Sequence, residues 1–357
     1  MDLIGYKNLE YIKKHNSIPR KYIKKSFLFE IFYFLKNLKR DKIDYKVDFT
    51  NKFQIMDTKY FPENIQKYIL NTTFIRYNFT IYKNNYKFDI NIYSLKKIKI
   101  KKYIKYIQTT IELCNHYKPL TINSCIDIYL TPFDKYMDQD IISSKHINSA
   151  LTLFYHNKKS RRVLIYRKEE WFKVFIHECF HLFSLDFRMN EETSLLFSNL
   201  FYMNSDYLLF ESYVEFWARI IHMCICLFYK YKTWKIFQKY FNRHLQLEKI
   251  YSVLSCNKLL SQYDYSIDNI KTHKKQWNEN TNAFCYYVVT SILLFKFENT
   301  IEFFQKYNHN LLNFNETNCK YFIEYIQNIL DEYISYYHSI KHFNIDKINM
   351  SHFEISF

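Results

Sequence analysis

The chain has 357 residues, 48% of them hydrophobic and 20% aromatic, with a formal net charge of +16. That length and apolar content exclude a disordered polymer and suffice for a real core in two packed parts. Glycine occurs once, at Gly5, and proline four times, which excludes the P-loop and the dinucleotide fingerprint and leaves Asn, Asp, Ser and Lys to make the turns.

Residues 1–75 read as a basic, mainly helical region, clearest at SFLFEIFYFLKNL (26–38) and ENIQKYIL (63–70). The charge excess lies in the first third: residues 1–120 hold 25 Lys and Arg against 10 Asp and Glu, and the remainder 26 against 25. Such a segment suits a polyanion, whether nucleic acid, anionic membrane or acidic protein. It equally suits a solvated surface enriched in lysine by AT-rich codons. Scarce glycine and proline carry the same codon bias and point to an AT-rich genome, as in large DNA viruses or intracellular parasites.

The period then changes. NFTIYKNNYKFDINIYS (78–94) reads as two strands about an Asn-Asn turn, and KKIKIKKYIKYIQTTIELCNHY (96–117) as a helix stopped near Pro119. CIDIYLT (125–131) is a strand ended by Pro132. INSALTLFYH (147–156) and RVLIYR (162–167) flank the turn signal NKKS and predict a hairpin. KEEWFKVFIHECFHLFSL (168–185) is a helix whose first-turn acids suit the dipole. From residue 207 the pattern is helical, over 208–230, 233–256, 282–296, 298–307 and 317–338. The fold class is therefore α+β: a small mixed β-sheet with a helix packed on it, followed by a mostly helical C-terminal half. The natural division is an N-terminal region 1–75, a core 76–230 and a helical subdomain 231–357.

Eight cysteines, at 114, 125, 179, 224, 226, 256, 285 and 319, form no CxxC pair, as expected of buried thiols in a reducing compartment. The N-terminus lacks the apolar core of a signal peptide. The most apolar window, 214–231, contains Arg219 and His222 and is too short to span a bilayer. A soluble, intracellular protein with no transmembrane segment is expected.

The chemistry concentrates in HECFH, residues 177 to 181, an HExxH match. On a helix His177 and His181 project from one face and can share a Zn2+ ion, while Glu178 is placed to hold a water on that ion and take its proton. The intervening Cys179 points off that face and reads as packing. A third ligand is required. The position ten residues after the first histidine, where metzincins place theirs, is Phe187, which cannot ligate; Asp186 falls one position short. Glu191 and Glu192 read as a solvated turn. Downstream, FESYVEFWARIIH (210–222) places Glu211 and Glu215 on one face of an apolar helix, where two buried acids need a cation.

With these two motifs the chain resembles the gluzincin metallopeptidases, in which HExxH on one helix is followed by a glutamate ligand on a second. Thermolysin-like and neprilysin-like members carry Asp four residues after that glutamate; lethal-factor-like members carry Glu, as here. The resemblance spans about 110 residues. It implies Glu211 as the third zinc ligand and Glu215 as the acid that receives the N–H of His177. IDIYLT, LDF and TNAFCYY (281–287) are also similar to metallopeptidase-like proteins of large DNA viruses, which implies host cytoplasm or virion as the location. Gluzincin-like hydrolysis needs a donor to the oxyanion: Tyr207 is taken for that role, with Tyr202, Tyr286 and Tyr287 as alternatives. The strand 147–156 would be the sheet edge to which an extended peptide adds.

The expected activity is a zinc-dependent peptidase acting on protein or peptide, with Glu178 as general base. Two rivals stand beside it: a catalytically inactive, zinc-stabilised viral structural or interaction protein, and a basic nucleic-acid-binding protein. Retention of Glu178 speaks against the first, and the absence of a nucleic-acid motif against the second.

Overall fold

A computed structural model describes residues 26–50, 53, 58–138, 141–154, 160–203, 208–272, 275–342, 345 and 348–353. The fold is α+β. The chain divides into two compact units: a sheet unit built from Asn37–Lys135 and Ser144–Leu185, and a helical unit built from Met1–Lys36, Tyr136–Ser143 and Asp186–Ser356.

The sheet unit contains β1 (Lys46–Thr50), α2 (Glu63–Leu70), β2 (Phe74–Lys83), β3 (Tyr86–Ser94), α3 (Ile100–Tyr117), β4 (Asn123–Tyr129), β5 (Ala150–Phe154), β6 (Ser160–Ile165) and α4 (Trp171–Leu182); α1 (Ser26–Asn37) precedes them in the chain. The strands form one mixed sheet in the order β1-β2-β3-β4-β6-β5. β3, β4 and β6 run parallel, and the flanking pairs are antiparallel. The β2–β3 turn is made by Asn84 and Asn85 at φ 47° and 68°. Asparagine there does what glycine does in most proteins, since its short polar side chain tolerates the left-handed region.

Alternation gives the sheet two faces. Phe79, Ile81, Phe88, Ile90, Ile92, Ile126, Ile128, Val163 and Ile165 share one face and are all buried; α4 packs against β5, β6 and α3. Part of the other face is covered by α2, whose Ile65 and Ile69 join Phe61, Phe74, Tyr93, Tyr129, Leu164 and Tyr166 in an apolar cluster. Tyr93 and Tyr129 stack there at 4.0 Å. Further along the same face a polar row crosses four strands. Asn78 donates to Asn91 (3.0 Å), Asn91 to Asp127 (3.0 Å) and Arg162 to Asp127 (2.7 Å), so the half-buried polar groups are satisfied.

The helical pieces expected at 26–38 and 63–70 form, but the stretch between them also holds β1. That strand sits at the sheet edge with Phe49 76% exposed, so it lacks the half-buried alternation that marks a strand in sequence.

In the helical unit α5 (Glu191–Phe201), α6 (Phe210–Lys230), α7 (Trp234–Gln262), a π-helix (Phe284–Val289), α8 (Thr290–Phe295), α9 (Phe297–Tyr307) and α10 (Cys319–Ser339) follow one another. Every residue of α6 from Glu211 to Phe228 is buried, as in a helix apolar all round and enclosed by its neighbours. α1 sets Phe27, Leu28, Ile31, Phe32 and Leu35 inward. Phe27 meets Trp217, Phe241 and Phe297 edge to face at 5.6 to 6.5 Å, a favoured aromatic geometry. All eight cysteines are free, and all but Cys125 are buried. Among the described residues no helix is long and apolar enough to cross a membrane.

The helix expected over 282–296 begins as a π-helix. Both carboxylate oxygens of Glu279 accept the Phe284 N–H, at 3.1 and 3.2 Å, and Thr290 Oγ1 donates to the Cys285 carbonyl at 2.9 Å. Burial pushes the Glu279 carboxyl up to about 8, against partial compensation from the Phe284 N–H and Trp277. The unfolded chain releases that proton near 4.5, so the stability this group contributes is full below that pH and is lost as pH rises through about 8. Glu279→Gln stays neutral throughout and keeps an acceptor. Between pH 6 and pH 9 the wild-type melting temperature should fall several degrees further than the variant's, for a difference of up to a few kcal/mol. Parallel melting profiles would show that the carboxyl does not titrate as described.

Candidate metal centre

α4 runs along the sheet with all its residues buried except the half-buried His181. The acids expected in its first turn lie just before it. Glu170 is the N-cap residue in a left-handed conformation, φ 53°, and pairs with the buried Lys135; Glu169 accepts the Lys135 N–H at 2.6 Å, while burial raises its carboxyl. This ion cluster pins the helix start to the loop after β4.

One turn separates His177 from His181, and their Nε2 atoms are 3.2 Å apart. The rings stand edge to face, 5.0 Å between centroids. Two nitrogens bound to one tetrahedral zinc at 2.0–2.1 Å lie about 3.3 Å from each other, so the pair fits that ion. Aiming both Nε2 atoms at one point leaves each Nδ1 side for an orienting partner. Glu178 is also buried. Its Oε2 accepts a 2.6 Å hydrogen bond from Thr152 Oγ1, and Thr152 belongs to β5, one edge of the sheet. The expected edge strand and hairpin therefore form, β5 pairing with β6 from Ala150 opposite Ile165 to Phe154 opposite Arg161. Thr152 was missed in sequence. Its only signal is a hydroxyl between Leu151 and Leu153, on the opposite face from both.

α6 carries the two acids in the helical unit. Glu211 lies in its first turn, where the helix dipole favours a negative charge, and is 8% exposed. Nearby in that unit is Cys285, whose thiol is pushed up by burial and by the charges of Glu279 and Glu211. Glu215, one turn on, is fully buried and accepts from Arg219 Nε at 2.9 Å. The cation demanded by that buried acid is thus present in the chain itself, an arginine that sequence reading passed over.

Other candidates fall out differently. Phe187 is a core residue, its ring 4.1 Å from Phe314. Asp186 is half-buried. Glu191 and Glu192 are exposed as expected, but they open helix α5 rather than a turn: Asn190 and Thr193 form a reciprocal capping box at 2.8 and 3.0 Å. His222 is buried, edge-on to Phe353, and Cys179 is buried in packing. Tyr207 lies outside the described residues. Tyr202 is exposed at the end of α5. Tyr287 donates its hydroxyl to the Ile348 carbonyl at 2.6 Å, which commits its one O–H. Tyr286 is buried in the π-helix with its carbonyl facing Arg219.

Compared with known proteins, the chain matches no family model, no curated protein and no solved structure.

Proposed function

We propose that the protein is a zinc-dependent peptidase in which His177, His181 and Glu211 hold the ion, Glu215 orients His177, and Glu178 is the general base. The observation that carries this reading is the 3.2 Å approach of the two Nε2 atoms on α4 beside a buried glutamate. The grouping of His177, His181 and Glu211 as a set that could hold a metal ion supports it further.

Zinc so held supplies a water whose pKa is lowered toward 7 and a Lewis acid for the scissile carbonyl. The rest falls to the chain. Glu178 takes the water's proton on its carboxylate and returns it to the departing amine. Thr152 Oγ1 holds one oxygen of that carboxylate and so fixes its direction. Among the described residues β5 pairs with β6 alone, and an extended peptide can add along its other edge, which favours a peptide bond as the substrate.

Protein purified without chelator should carry about one zinc per chain by elemental analysis. No transition metal, even after zinc is offered, would overturn the proposal.

A further inference from the structure

We propose that Arg219 is a positioning residue for the metal site, fixing the carboxylate of Glu215 and drawing the C-terminal residues Ser351 and His352 into the same device. The proposal rests on the zinc reading above.

Positions 211, 215 and 219 are successive four-residue steps on α6, so the three side chains run along one helical face. The Arg219 guanidinium spends its donors on three acceptors. Nε reaches Glu215 Oε1 at 2.9 Å, Nη1 reaches Glu248 Oε1 at 3.3 Å on α7, and Nη2 reaches the Tyr286 carbonyl at 2.9 Å in the π-helix. The Arg219, Glu215 and Glu248 side chains are all fully buried. The Tyr286 carbonyl that Arg219 reaches lies in the π-helix, an irregularity of the i→i−4 ladder.

Glu248 is itself anchored. Its Oε2 accepts from Ser351 Oγ at 2.9 Å, from the His352 N–H at 3.1 Å and from His352 Nδ1, and His352 Nε2 lies 3.3 Å from His244 Nδ1. Burial would raise the Glu248 carboxyl, but His352, Arg219 and Ser351 together hold it below its ordinary value. Tyr251 and Tyr287 donate to the Asn349 and Ile348 carbonyls, so residues 348–352 are strapped to α7 and the π-helix. Glu215 is therefore held by a rigid fork with two fixed anchors beyond it.

Zinc affinity reports this role where folding stability alone does not. It is measured by chelator competition for the wild type, Arg219→Lys, Glu215→Gln and the double variant. Lysine keeps the charge but cannot span three acceptors. Arg219→Lys should weaken zinc binding about 10-fold, within the range for partners of a ligand. Glu215→Gln should weaken it at least as much, and the double variant no more than Glu215→Gln alone, because one residue acts through the other. Wild-type affinity in Arg219→Lys, or losses that multiply in the double variant, would overturn the proposal. If the wild type binds no zinc, the zinc reading fails as well; if it binds and Arg219→Lys binds equally, only the Arg219 role fails. Should Arg219→Lys not fold, Glu248→Gln removes one anchor and leaves Arg219 in place. It should weaken zinc binding in the same non-additive way, and unchanged affinity there would equally overturn the role.

Discussion

Glu211→Ala should lose its zinc. Two imidazoles on one helix remain, and a site reduced to them loses both a ligand and the negative charge that offsets the ion. The loss should exceed the roughly 100-fold that removing a ligand's partner can cause. Glu215→Ala should fall in the 10- to 100-fold range, since in the proposed site it acts on His177 and not on the metal. Glu178→Gln should lose least. Zinc retention of the three purified variants under chelator competition ranks them directly. If Glu215→Ala empties the site while Glu211→Ala keeps its metal, the two roles are exchanged. If neither matters, the third ligand lies elsewhere, with Asp186 and Glu191 next to test, and the gluzincin-like assignment fails.

Glu178→Gln should keep its zinc and lose hydrolysis. Glutamine is nearly isosteric and retains an oxygen for the 2.6 Å bond from Thr152, so the local packing survives. The amide cannot take a proton, and general-base catalysis of this kind contributes roughly 10²–10⁴ in rate. Turnover of a mixed quenched-peptide library by zinc-loaded protein, with metal content measured on the same sample, separates the outcomes. Glu178→Gln cleaving at the wild-type rate removes Glu178 from the mechanism. A wild type that holds zinc but cleaves nothing supports an inert, zinc-stabilised protein instead.

Much of this was legible in the sequence because local pattern and structure agree. The β2–β3 hairpin followed from alternation about Asn84-Asn85. The order of strands and helices from β2 to α4 followed from changes of period, and α6 from a long, mostly apolar run. What escaped depends on partners distant in sequence. Arg219 reads as an isolated charge until Glu248, 29 residues on, and Tyr286, 67 residues on, come beside it. Ser351 and His352 meet Glu248 from more than a hundred residues away. The π-helix is met by Glu279, Thr290 and Arg219, contacts that no helical period encodes. Thr152 matters because of a hydroxyl's direction, and α5 was hidden because its exposed leading acids resemble a loop.

The sealed cysteines give the folded chain a chemical quietness. Seven of its eight thiols are buried, and burial pushes those of Cys179, Cys224, Cys256 and Cys285 upward, so little thiolate exists even where a reagent penetrates. Electrophiles and peroxides reach these sulfurs only when the surrounding structure opens. Cys114 and Cys179 belong to the sheet unit, and Cys224, Cys226, Cys256, Cys285 and Cys319 to the helical unit. The two groups of sulfurs thus serve as separate reporters, each reached only when the structure of its own unit opens.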